Sequence, residues 1–322
     1  MKPSREMLAA RVSMFLAATF MGSVGLFVTC LTKGLGMQVF AAVEFRGLFG
    51  WAWVTCILFA TRRLGVIKKL LGHKYLILAV TATSVLTIFF YFLTINTAGL
   101  AIAAFLLYVG NLIAIIFMRL FLKEPMPRVT YVAYGLAIAG VLVMEPWGDA
   151  SLSWGIFTGI CSAVSLGCIN LSKKMLFNKE KAIAMGHGGA RAPIPIADLS
   201  FGITWYTVLG LAASFSFAWV IDGPIMCTAG AIVPAILLGL VPTALAFTFF
   251  NYGLKSDKGG NVLIISYAEP VVASIFQVLF FDGIPFLVLV GGGLIVAGNI
   301  IALAGSRKKQ QHDDVVNSTP AS

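Results

Sequence analysis

The chain alternates long apolar runs with short polar breaks. Ten such runs can be drawn, at residues 12–31, 37–60, 75–95, 100–122, 129–144, 152–171, 199–221, 229–254, 261–281 and 285–303. Most are near the roughly 20 residues a helix needs to cross a bilayer core about 30 Å thick. The one long break, residues 172–198, carries Gly186, Gly188, Gly189, Pro193 and Pro195 and reads as a flexible linker. The pattern predicts an all-α integral membrane protein of ten transmembrane helices, called spans 1 to 10 below.

The two halves echo each other. Tyr108, Phe117, Leu120 and Phe121, then Gly135-Leu136-Ala137-Ile138-Ala139-Gly140, recur as Tyr267, Phe276, Leu279 and Phe280, then Gly293-Leu294-Ile295-Val296-Ala297-Gly298. A turn separates the two parts of each copy, at residues 124–127 and 282–285. The shift is 159 positions before the turn and 158 after it, an internal repeat. Five spans per half is an odd number, so the copies enter the membrane in opposite senses, as two inverted five-helix repeats. Inverted repeats that rock about a midplane cavity are a common transporter architecture.

Charge tests the count. With the N-terminus in the cytoplasm, twenty of the 23 Lys and Arg fall in inner segments, Lys33 falls outside, and Arg46 and Arg119 lie within spans. The positive-inside bias therefore places both termini in the cytoplasm. Residues 1–171 hold the first repeat plus span 6, residues 172–198 the cytoplasmic linker, residues 199–305 the rest of the second repeat, and residues 306–322 a disordered cytoplasmic tail.

Composition agrees. With 59% hydrophobic and 11% charged residues and a mean hydropathy of +0.94, too few polar residues exist to cover a water-soluble globule. The net charge of +10 sits in clusters at the ends of apolar runs, which argues against nucleic acid as a partner. Span 1 is too long for a signal-peptide core and reads as uncleaved. Five cysteines without a C-x-x-C pair and three unclustered histidines give no metal site. No phosphate-binding G-x-x-x-x-G-K-[ST], H-E-x-x-H or G-x-S-x-G occurs, so neither ATP-driven transport nor catalysis is expected, and no cofactor.

Ionisable residues within spans are costly, about 2.5–3.5 kcal/mol each on insertion scales, and mark candidate sites. Glu269 lies eight residues into span 9, and Pro270 beside it predicts a kink that frees the carbonyl four residues back. Glu269 is a candidate proton carrier, a partner for a substrate ammonium group, or a structural partner of Arg46 in span 2. On the helical rise the two differ by only about 5 Å in depth, and together they form a candidate gate. Glu44 faces an outer vestibule or sits near the interface. Tyr108 and Asn111 share one face of span 4 as Tyr267 and Pro270 share one face of span 9. Tyr91, Asn251 and Tyr252 add polar and aromatic surface.

Arg46, the Phe90-Tyr91-Phe92 end of span 3, Lys123-Glu124-Pro125 after span 4, Glu269-Pro270-Val271 and the two G-L-x-x-A-G helices together resemble the drug/metabolite transporter superfamily, and within it the EamA-type ten-helix permeases. The likeness runs from about Phe15 to Ala304. Asn111 stands where such proteins often carry a proline, and Asp282-Gly283 stands in place of Gly-Glu. The resemblance implies a secondary transporter in the plasma membrane. It would move small organic metabolites, such as amino acids or amine-containing compounds, by alternating access, with export slightly favoured and a proton or exchange as the coupling. Expected partners are the small-molecule substrate, H+ and membrane lipids, with the protein a monomer or homodimer. A membrane-embedded lipid-handling enzyme predicts a polar catalytic cluster at one interface, which the sequence lacks; a non-transporting scaffold predicts no effect of solutes.

Overall fold

The computed structural model describes residues 5–123, 128–144, 150–185, 192–213, 229–255, 263–281 and 283–318. The turn at residues 124–127, Asp282, the glycine-rich centre of the linker and the end of span 7 lie outside the described residues. Every regular element described is helical. In chain order these are α1 (Arg5–Gly22), α2 (Val24–Thr29), α3 (Val39–Ala60), α4 (Gly65–Leu70), α5 (Lys74–Ala98), α6 (Leu100–Leu122), α7 (Val129–Met144), α8 (Ala150–Ala184), α9 (Ile196–Ala213), α10 (Ala229–Gly239), α11 (Ala246–Lys255), α12 (Ala268–Phe280) and α13 (Phe286–Ser318). Six segments among them are long and apolar enough to cross a membrane: Leu8–Gly34, Val39–Ala60, Gly65–Ala98, Leu100–Leu122, Ser153–Ala184 and Ala229–Phe250. Val129–Met144, Ile265–Phe280 and Phe286–Ala302 are shorter apolar helices.

Several spans are broken where the sequence suggested continuous helices. Span 1 divides at Ser23 and ends in a π turn, Cys30–Gly34. Span 8 contains a π segment, Leu240–Leu245, between α10 and α11. Span 9 begins with a tight 3-10 turn, Leu263–Tyr267, before α12. Breaks within membrane helices are tolerated when buried protein groups take up the released backbone atoms.

Two expectations about polar segments are corrected. Span 6 was expected to end at Leu171, but α8 continues to Ala184, so the first part of the supposed linker is helical. Its Lys-rich run hides an inward face: Leu176 is fully buried and Glu180 is 4% exposed. The Glu180 carboxylate receives His73 at its Oε1 (2.6 Å) and the Ile194 N–H at its Oε2 (2.8 Å). The supposed disordered tail is also helical, because α13 runs on to Ser318.

The repeat motifs pack where backbone must meet backbone. A Cβ on Gly140 would collide with the carbonyl of Gly291, and one on Gly298 would lie 2.8 Å from the carbonyl of Ala133, so α7 and α13 run antiparallel in close contact. The first glycines of the two motifs, Gly135 and Gly293, face open space. At the basic end of the bundle α3 closes with the Arg62 N–H bonded to the Phe59 carbonyl (3.0 Å) and the Arg63 N–H to that of Leu58 (2.9 Å). Arg62 takes the left-handed position of this cap, φ 56°, where glycine is usual. A side chain there costs about 1–2 kcal/mol.

Candidate functional site

Two prolines organise the interior, each by a carbonyl it cannot bond. Pro270 falls in the first turn of α12, where a missing N–H is tolerated, so the helix starts there instead of kinking in mid-course as expected. The carbonyl four residues back, on Ser266, lies 2.7 Å from the Tyr108 hydroxyl of α6. That hydroxyl also lies 2.9 Å from Glu269 Oε2. Glu269 is 8% exposed and stands in the first turn of α12, where backbone N–H groups and the helix dipole favour a carboxylate.

Pro242, in the π segment of span 8, stands four residues beyond Leu238. The Leu238 carbonyl accepts the Thr243 hydroxyl (3.1 Å), and Thr243 Oγ1 in turn accepts from Arg46 Nε (3.0 Å). The Arg46 guanidinium lies 5.6 Å from the centre of the Phe92 ring, and its Nη1 has no hydrogen-bond partner among the described residues. π segments of this kind recur at functional sites. A hydroxyl thus meets an ionisable side chain at each break: Tyr108 of the unbroken α6 meets Glu269 at the start of α12, and Thr243 of the π segment meets Arg46 of α3.

The charges are neighbours without being paired. Arg46 and Tyr91 lie within electrostatic range of Glu269, but Arg46 and Glu269 form no ion pair within 4.0 Å. The Tyr91 hydroxyl, on a residue 3% exposed, is also without a partner. The Tyr267 ring packs 5.1 Å from that of Tyr108, centre to centre, and its hydroxyl meets the Asn111 side chain. Asn111 Oδ1 accepts from Asn170 Nδ2 (3.2 Å), which ties α6 to α8. Arg46, Tyr91, Tyr108, Glu269 and Pro270, all buried, and the half-buried Asn111 and Tyr267 are thus brought into one region.

No contact joins the remaining candidates to this region among the described side chains. Tyr252 is 54% exposed. The backbone of Asn251 lies in α11, and its side chain is outside the described ones. Glu44, near the start of α3, is 4% exposed, and its Oε2 has no hydrogen-bond partner among the described residues. Sequence reasoning missed Thr243, Phe92 and Gly22. The last packs so closely that a Cβ would lie 3.0 Å from the Glu269 carbonyl. Pro242-Thr243 repeats the pattern of a proline beside a polar residue seen at Glu269-Pro270, and was the available signal for Thr243.

Residues 197–304 match the EamA-like transporter family. The chain carries an EamA-like transporter domain. An uncharacterized transporter of Archaeoglobus fulgidus is 29% identical over 301 residues, covering 92% of this chain and 97% of that protein. A crystal structure sharing 18% identity superposes with a TM-score of 0.61 over 92% of this chain and 97% of its own, a likeness of fold. Together with the apolar helices, these relationships make this EamA-like chain a multi-pass membrane protein related to transporters.

Proposed function

We propose that this EamA-like chain is a secondary transporter of ten spans with both termini in the cytoplasm, set in the plasma membrane and exporting small organic solutes by alternating access. The observation that carries the reading is a pair of buried ionisable side chains of opposite type, Arg46 and Glu269, that form no ion pair with each other. Buried charges are expensive, and unpaired ones need a role. A zwitterionic solute such as an amino acid complements them: its carboxylate meets Arg46 Nη1 and the Tyr91 hydroxyl, which lack partners, and its ammonium meets Glu269 beside the Tyr108 and Tyr267 rings.

Hydrogen counting favours a proton as the coupling species. Tyr108 has one hydroxyl proton and two acceptors in reach, the Ser266 carbonyl and Glu269 Oε2. With a proton on Glu269, the carboxyl donates to the Tyr108 oxygen and Tyr108 donates to Ser266, so every group is satisfied. Without it the hydroxyl must choose, and a solute ammonium can take the place of the missing proton. Proton and solute would thus compete for Glu269, the logic of exchange.

The test is thermal unfolding of the purified protein with a panel of amino acids, amines, nucleosides and sugars. A ligand at about a hundred times its dissociation constant stabilises by about 2.7 kcal/mol. Amino acids are expected to stabilise the parent, and Glu269→Gln is expected to lose that effect. Stabilisation by no solute in either protein would overturn the reading.

A further inference from the structure

At the basic end of the bundle lies a cavity of about 150 Å³ that no part of the transport reading uses. Arg62, Arg63, Lys69, Gly65, Pro195 and Asp198 help to line it. It joins the two halves of the chain, with the α3–α4 turn on one side and the start of α9 on the other. Among the described residues Arg62, Arg63, Lys69 and Asp198 are the charged side chains of its lining, and Asp198 Oδ1 is met by Arg63 Nη1 at 2.9 Å. Arg63 is held further by the Phe201 ring, 5.6 Å from the guanidinium carbon. The opposite wall is fixed by Glu180, which receives the Ile194 N–H next to Pro195.

We propose that this cavity binds a phosphate oxyanion, presented by an anionic lipid headgroup or by a soluble phosphate. Arg62 carries the argument. It occupies the left-handed cap position at φ 56°, where glycine would close the helix without strain, yet the sequence keeps a long cationic residue there, in the lining of the cavity. The surroundings suit a headgroup. Phe59, Leu71 and Tyr75 close by are 72%, 57% and 78% exposed, which marks the edge of the apolar surface. Basic pockets at that level bind anionic headgroups. An anion bound there would bridge the α3–α4 turn to α9 and hold the two halves together at this end.

The full chain in neutral detergent is titrated with short-chain phosphatidylglycerol, short-chain phosphatidylcholine and inorganic phosphate, and dissociation constants are read from tryptophan fluorescence. Phosphatidylcholine carries the same phosphate beside a fixed cation, so the comparison isolates net charge. The parent is expected to bind phosphatidylglycerol at least about tenfold tighter than phosphatidylcholine. Arg62→Gly should abolish that preference while the unfolding midpoint stays level or rises, and Lys69→Gln should weaken it. Arg62→Asn, which tolerates the same backbone, should behave as Arg62→Gly does. Displacement of the lipid by millimolar inorganic phosphate would assign the site to soluble phosphate; resistance to it would assign the site to lipid. Equal binding of the two lipids with no phosphate binding, or a preference that survives Arg62→Gly, would overturn the proposal.

Discussion

Tyr108→Phe and Glu269→Gln should part company sharply, although they remove the two ends of one contact. Phenylalanine fills the same space but takes the hydroxyl away from two acceptors, the part-buried Ser266 carbonyl and the buried Glu269 Oε2, which lie 2.7 and 2.9 Å from it. Each buried group left unsatisfied costs about 1–3 kcal/mol, so Tyr108→Phe should destabilise by about 2 kcal/mol or more. Glutamine at 269 instead imitates the protonated acid: its amide donates to the Tyr108 oxygen, and Tyr108 still donates to Ser266. Glu269→Gln should therefore lie within about 0.5 kcal/mol of the parent, the usual range for a change that strands nothing. The assay is thermal unfolding in one detergent at one pH. A loss of 2 kcal/mol should lower the midpoint by on the order of 4 °C. If Glu269→Gln falls as far as Tyr108→Phe, the carboxylate is ionised in this state and the hydrogen count is wrong.

Three other outcomes are expected. Thr243→Val keeps the shape but strands Arg46 Nε and strips the hydroxyl from the Leu238 carbonyl, so it should cost about 1–3 kcal/mol and weaken solute binding, read by the same thermal assay. Gly140→Leu drives a side chain into the backbone of Gly291 and should abolish the folded, monodisperse peak in size-exclusion chromatography, whereas Gly135→Leu, facing open space, should leave that peak unchanged. Glu180→Ala removes the acceptor of the Ile194 N–H and the partner of His73, so hydrogen exchange at Ile194 should accelerate.

The limits of α6 and α7 were legible residue for residue, because Gly99 and Lys123 bracket one apolar run and Arg128 precedes the other. The end of α8 was not legible. Five charges in residues 173–181 read as a solvated loop, and only tertiary contact with His73 and Ile194 shows that one of them, Glu180, turns inward. Glu269 and Arg46 stood out as charges in apolar runs, and the carbonyl freed by Pro270 was foreseen. Its occupant was not, since Tyr108 is 158 residues from Ser266 and only packing of α6 against the start of α12 joins them. The bond of Thr243 to Arg46 was hidden for the same reason, since it spans 197 positions; the only signal in the sequence was the proline beside it. Of the roles read for Glu269, pairing with Arg46 is not formed in this structure: Arg46 Nε bonds the Thr243 hydroxyl and Glu269 Oε2 lies by the Tyr108 hydroxyl.

Transport itself is the most direct test. Proteoliposomes loaded with a labelled amino acid that passed the stabilisation screen are given a pH gradient, and solute movement is followed for the parent and for Glu269→Gln. The parent should move solute against its gradient when protons run the other way. Glu269→Gln, which has lost the group that protons and solute share, should not respond to the pH gradient. A pH-driven accumulation in Glu269→Gln equal to the parent's would contradict the role given to Glu269 and with it the account of this interior site.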